Sequence, residues 1–148
     1  MLNVALAKGR LADSCADIFL KCGIRAEILK EETRKLVLET PDKKFRFFFV
    51  KPADVPTYVE YGIADIGIVG KDTLLEAGAD LYEMLDLKFE KCRLCLAGFP
   101  EKKAALSSPH LRVATKYVNT AKKLFFTRGE DVEIIKLNGS IELAPLTG

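Results

Sequence analysis

The chain has 148 residues, enough for one domain or two small lobes around a real core. With 49% hydrophobic and 30% charged residues and no low-complexity tract, it is a globular chain and not a disordered one. The net charge of +2 supplies no global field for nucleic acid or membrane, so any basic site must be local.

Val4 and Leu6 alternate with smaller or polar neighbours, the period of a half-buried strand. From Leu11 the period changes, and Leu11, Cys15, Ile18, Phe19 and Cys22 make one face of a helix. Lys8-Gly9-Arg10 stands at the switch. "RKLVLE" at 34–39 and "RFFFV" at 46–50 predict two strands, with Pro41-Asp42 turning between them. In "KPADVPTYVEYG", Asp54 as N-cap, Pro56 in the first turn and Gly62 past the end predict a short helix. "ADIGIVG" predicts a buried strand ending at Gly70. Thr73-Leu-Leu-Glu76 reads as a capping box opening another helix, which Gly78 closes. The alternation predicts an α/β fold whose sheet is largely parallel.

A second block starts near Leu85. "LDLKFEKCRLCLAGF" predicts a long extended stretch and "LRVATKY" a strand. Asn119 to Arg128 predicts a helix with Leu124 and Phe125 facing inward, stopping at Gly129. "VEIIKL" predicts a further strand, and Ser140 is the expected N-cap of "SIELAPLTG". Two α/β lobes are expected, 1–89 and 90–148, with ligands at the carboxyl ends of strands in a crevice between them.

The cysteines suit a reducing compartment. Cys15 and Cys22 lie on the expected buried face of the first helix. Cys92 and Cys95 form a CxxC, but on a strand their sulfurs would point to opposite faces. There is no second CxxC and a single histidine, His110, so core thiols are expected in place of a zinc or redox site. No apolar run is long enough to span a bilayer and no leader pattern opens the chain, which points to the cytoplasm. Asn138-Gly139-Ser140 then reads as a turn and not as a glycosylation site.

The glycine and two cations of Lys8-Gly9-Arg10 suit an anion, because Gly9 permits close backbone approach and the next helix opens with unpaired N–H groups. Similar loops recur: Lys51 with Asp54, Gly70 with Lys71 and Asp72, and Lys116 with Tyr117. For one such loop a solvated lysine is the simpler reading. Four strand ends, each with a cation, predict a site for a polyanionic ligand. Neither GxGxxG nor GxxxxGK[ST] is present, which disfavours a simple dinucleotide or P-loop enzyme.

"NVALAKGRL", "DVPTYVEYGIADIGIVGKD", "RVATKYVNTAKKLF" and "VEIIKLNGSIELAPL" resemble, in order and spacing, the catalytic subunit of the short-form ATP phosphoribosyltransferase family, from residue 2 to the end. The resemblance implies a fold similar to the two-lobed type II periplasmic-binding-protein class. It also implies the first step of histidine biosynthesis, in which ATP and phosphoribosyl pyrophosphate give phosphoribosyl-ATP and pyrophosphate, with Mg²⁺ held mainly by substrate phosphates and no dedicated protein metal site. By motif, Arg10 and Arg34 are the catalytic candidates for the leaving pyrophosphate. Lys8, Gly9, Lys51, Asp54, Gly70, Lys71, Asp72 and Arg93 become cleft residues. Lys116 is a further substrate-binding residue, Tyr117 stacks on or borders the adenine, Glu142 shapes the ribose or phosphate end of the phosphoribosyl pyrophosphate site, and Asp65 is structural.

The resemblance further implies a homodimer assembling with a regulatory subunit resembling histidyl-tRNA synthetase, which would confer inhibition by histidine. Two departures stand out. Lys51 replaces an arginine common in the family, keeping the charge without the fork. The sequence also stops at Gly148, before the family's acidic Gly/Thr loop for the 5′-phosphate: either the chain continues beyond it or this is a fragment, and a true fragment is expected to be inactive and prone to aggregate. The rival expectations are a non-catalytic phosphate-ligand module and a sensor that binds phosphoribosyl pyrophosphate alone.

Overall fold

The structure, a computed structural model, describes residues 1–99, 101 and 111–147. His110 and Gly148 lie outside the described residues. The chain divides into two compact units, Met1–Lys91 and Cys92–Gly148.

The first unit runs β1 (Leu2–Leu6), α1 (Arg10–Lys21), a 3-10 turn at Glu27–Lys30, β2 (Val37–Glu39), β3 (Phe45–Phe49), a 3-10 turn at Pro52–Asp54, α2 (Val55–Glu60), β4 (Ile66–Ile68) and α3 (Lys71–Ala77). Its sheet has the order β2-β3-β1-β4; β3 and β4 pair parallel to β1, and β2 pairs antiparallel to β3. Val4, Ala5 and Leu6 are all fully buried because β1 is covered on both faces, as parallel strands are. Successive residues point to opposite faces: Val4 and Leu6 join the core under α1, and Ala5 joins the one under α2 with Val55 and Ala64.

On the α1 side the buried helix residues are small, Ala12, Cys15 and Ala16, which lets α1 lie close to the sheet. Phe47 fills that core, edge-on to Phe19 at 5.5 Å and stacked with Phe45 at 6.4 Å. Asp65 is structural, as expected. Its Oδ2 accepts from the Asn3 amide at 2.7 Å while its own amide donates to the Asn3 carbonyl at 2.9 Å, closing the start of the β1–β4 ladder.

Several expectations need correction here. The strand expected over 34–39 shortens to Val37–Glu39, and Arg34 lies in exposed, non-repetitive chain. β4 is an edge strand of three residues with Ile66 45% exposed, because β1 pairs with only one of its sides. α3 begins at Lys71, capped by extended Gly70, so Thr73 sits inside the helix and not at its cap; Gly78 closes it in the left-handed conformation at φ 60°. Asp54 stands at the N-cap of α2 but gives no side-chain cap. The preceding 3-10 turn holds it in the right-handed helical region, away from the extended backbone that capping favours. Cys22, expected on the buried face, is instead the exposed C-cap of α1, outside the helix's regular turns.

The second unit contains β5 (Arg112–Thr115), α4 (Val118–Arg128), β6 (Glu133–Lys136) and a 3-10 turn at Ile141–Leu146. It is a β-α-β unit with β5 and β6 parallel, Arg112 opposite Glu133 and Thr115 opposite Lys136. Phe125 is buried, but Leu124 is 44% exposed; adjacent helix residues diverge by about 100°, so only one of them can face the sheet squarely. Gly129 ends α4 at φ 68°, as its position predicts.

The long extended stretch expected from Leu85 forms no ladder among the described residues, and Cys92 and Cys95 are exposed and not core thiols. Strand-forming residues make a strand only where a neighbour accepts and donates the ladder bonds. Ser140 stands before the last 3-10 turn in a left-handed conformation, φ 51°, and gives no side-chain cap.

Candidate functional site

The register of the first sheet determines where its loops emerge. Leu6 is opposite Phe49 on one side and Ile68 on the other, so β1, β3 and β4 end level. Two residues past these ends come Lys8, Lys51 and Gly70, the last followed at once by Lys71. A sheet of parallel strands therefore gathers loops far apart in sequence along one edge.

Gly9 turns β1 into α1 with φ 91° and ψ −153°, a region essentially confined to glycine. Among the described residues no side chain caps α1, whose first-turn amides stand at the positive end of a 12-residue helix. Arg10 is the first residue of α1; its side chain is 89% exposed, and its guanidinium lies 3.8 Å from the Glu90 carboxylate. Lys8 points the other way. Its ammonium donates to the Thr33 carbonyl at 2.6 Å and lies over the Phe49 ring at 5.1 Å. That bond ties Thr33, and with it the non-repetitive segment carrying Arg34, to the end of β1.

Lys51 and Asp54 bracket the 3-10 turn leading into α2, and both are exposed. Lys71 pairs with the Glu83 carboxylate. Asp72 folds back over the chain before it: a Cβ on Gly70 would lie 2.4 Å from its Oδ1.

The second unit has its own strand-end group. The Tyr117 amide donates to Thr115 Oγ1 at 3.0 Å, and the Lys116 ammonium lies 4.7 Å from the centroid of the Tyr117 ring. The Leu137 amide donates to the Thr115 carbonyl at 3.1 Å, holding the two strand ends together ahead of the turn that carries Glu142. Arg93 is exposed in non-repetitive chain at the start of the second unit. Glu83, Glu90 and Thr33 were not foreseen as partners of these cations. Nothing in a sequence marks which distant carboxylate or carbonyl will meet a given lysine.

Among the described residues there is no group of three or more His, Cys, Asp or Glu that could hold a metal ion. What the first edge offers is distributed positive charge, a glycine turn and free helix amides, which is chemistry for phosphate oxygens and not for a carbonyl or an apolar ligand.

Comparison with known proteins gives the same direction. Residues 51–148 match the family described as HisG, ATP phosphoribosyltransferase. Over 99% of its length the chain is 58% identical to ATP phosphoribosyltransferase of Ruminiclostridium cellulolyticum, covering 70% of that protein. The chain belongs to the ATP phosphoribosyltransferase family. The relative from Bacillus licheniformis is 52% identical over 99% of this chain and 68% of its own length. Among solved structures, the ATP phosphoribosyl transferase (HisG:HisZ) complex from Thermotoga maritima superposes with a TM-score of 0.69 and 31% identity, over 100% of this chain and 70% of that one. The fold is accordingly the mixed α/β, periplasmic-binding-protein-like class of that family. Among the described residues, no helix is long and apolar enough to cross a membrane.

Proposed function

We propose that the level ends of β1, β3 and β4 hold the polyphosphate groups in the reaction of this family, the first step of histidine biosynthesis. In it N1 of the adenine of ATP attacks C1 of phosphoribosyl pyrophosphate, the bond from C1 to the pyrophosphate oxygen breaks, and pyrophosphate leaves. The supporting observation is the register that sets Leu6, Phe49 and Ile68 side by side and so collects Lys8, Gly9, Arg10, Lys51, Gly70 and Lys71 along one edge.

Substitution at an anomeric carbon passes through an oxocarbenium-like state while negative charge builds on the leaving oxygens. Positioning and electrostatic stabilisation then carry catalysis without a covalent nucleophile. Arg10 and Arg34 take the leaving pyrophosphate, because the planar guanidinium binds phosphate bidentately. Lys51 and Lys71 neutralise further phosphate charge, and the Gly9 turn and α1 amides receive an oxygen directly. Lys8, already engaged by Thr33 and Phe49, positions the Arg34 segment.

Among the second unit's residues, Tyr117 is assigned to the adenine, Glu142 to the ribose or phosphate end, and Lys116 and Arg93 to substrate binding. Mg²⁺ bound to the substrate phosphates supplies charge neutralisation, and Asp54 and Asp72 at the same edge suit its preference for oxygen. The enzyme is cytoplasmic, dimerises and assembles with a regulatory subunit, a reading supported by the two-component HisG:HisZ complex from Thermotoga maritima.

The test pairs two measurements on the purified chain and on its Arg10→Ala and Lys51→Ala variants. One follows phosphoribosyl-ATP formation by absorbance with both substrates, with and without the regulatory subunit. The other titrates inorganic pyrophosphate calorimetrically. Binding that weakens in both variants supports the site. Pyrophosphate binding indifferent to both substitutions overturns it.

A further inference from the structure

Two cations of the proposed phosphate edge are approached by carboxylates from one segment. Beyond Gly78 the chain runs without helix or strand to the end of the first unit. From it Glu83 pairs with Lys71, and Glu90 approaches Arg10 at 3.8 Å.

The segment is held in place by its own features. Phe89 inserts against the core shared by β1, α1 and β3. On either side of it Lys88 and Glu90 take left-handed backbone conformations, φ 58° and 49°, uncommon for residues with a Cβ. The Lys88 amide donates to Asp86 Oδ1 at 2.9 Å, bracing the first of those turns. An apolar anchor flanked by two residues of left-handed backbone holds Glu90 within reach of the Arg10 guanidinium, where a negative charge is favoured.

We propose that Glu83 and Glu90 form an internal anionic strap that occupies Lys71 and Arg10 in the free protein and must be displaced by the incoming polyphosphate. This rests on the reading of that edge as a polyphosphate site. A carboxylate carries less charge than a polyphosphate, so the strap yields to the more highly charged ligand. Binding is thereby weakened for any anion that cannot replace both carboxylates, and free cations are not left to recruit adventitious ones.

The experiment titrates inorganic pyrophosphate into the chain and into Glu83→Gln, Glu90→Gln and the double variant. Glu60→Gln is the control for general charge, because α2 runs back from Lys51 and places Glu60 at the opposite end of the sheet. Glutamine keeps the size of the side chain and leaves the Phe89 anchor untouched. Each exposed ion pair is worth little, so each substitution lowers Kd by about two- to fivefold and the double variant by roughly the product, with Glu60→Gln near unchanged. In a Lys71→Gln background the gain from Glu83→Gln disappears.

A merely structural role would weaken binding in place of strengthening it. If both strap variants bind pyrophosphate no better than the parent chain while Lys51→Ala still weakens it, the strap is refuted and the site stands. If no variant binds pyrophosphate, both are refuted.

Discussion

Replacing Gly67 with alanine tests the contact that holds α2, and with it Lys51 and Asp54, against the sheet. A Cβ at Gly67 would lie 2.8 Å from Val55 Cγ1 and 2.9 Å from Val59 Cγ2. Carbon atoms rest at about 3.5–4.0 Å, so α2 must back away from β4 by roughly 1 Å. Val55 is 1% exposed and has no room to swing aside. Overpacking of this kind costs about 1–3 kcal/mol, and with two contacts violated and one partner locked we expect about 2 kcal/mol. At a urea dependence of about 2 kcal/mol per M for a chain of this size, the unfolding midpoint falls by about 1 M. Circular dichroism in urea reads the shift. Pyrophosphate titration of the same variant reads a weaker site, because the Lys51–Asp54 turn moves with α2. Val59→Ala removes one of the clashing methyl groups, so the double variant should be more stable than the sum of the single losses by about 0.5 kcal/mol or more. A midpoint shift under about 0.3 M, or strict additivity of the two substitutions, would refute the reasoning.

Three further outcomes are expected. Gly9→Ala meets no atom within 4 Å, so its whole cost is backbone strain, about 1–3 kcal/mol; urea unfolding should show that loss and calorimetry a weaker pyrophosphate site. Burial pushes the Cys15 thiol up to about 12 from 9.0, so iodoacetamide on the native chain should label Cys22, Cys92 and Cys95 and spare Cys15, as peptide mass spectrometry will show. The stability conferred by that protonated thiol is full below pH 9.0 and is lost between there and about 12, as the unfolded thiol ionises. The Thr40 hydroxyl at 2.6 Å, then the Lys44 amide at 3.1 Å, hold the Asp42 carboxyl below its ordinary 3.8. That contribution is present above pH 3.8 and lost as pH falls through the folded value, so the difference in urea midpoint between the chain and Asp42→Asn should shrink on acidification below 3.8.

Much of the local architecture is legible along the chain. The switch from period two to the helical period marks the β1–α1 boundary, and Gly78 and Gly129 mark helix ends because the left-handed closing residue needs no Cβ. The lysines and glycines that follow strands are also plain in the sequence, since loop chemistry is local. The four motifs sufficed for the family, because a matched order of several motifs is far more specific than any one of them.

Pairing is not local, and there the sequence misled. "RKLVLE" and "ADIGIVG" have strand composition throughout, yet only Val37–Glu39 and Ile66–Ile68 find ladder partners, and "LDLKFEKCRLCLAGF" finds none among the described residues. Cys22 and Leu124 match the helical period but are exposed, Cys22 as the C-cap of α1. The tertiary structure alone decided that Leu6, Phe49 and Ile68 end level, that Lys8 spends its charge on Thr33, and that Glu83 and Glu90 lie on Lys71 and Arg10. Period and propensity are properties of neighbours along the chain. Register, edge position and charge pairing depend on residues tens of positions away, and only the folded chain brings those together.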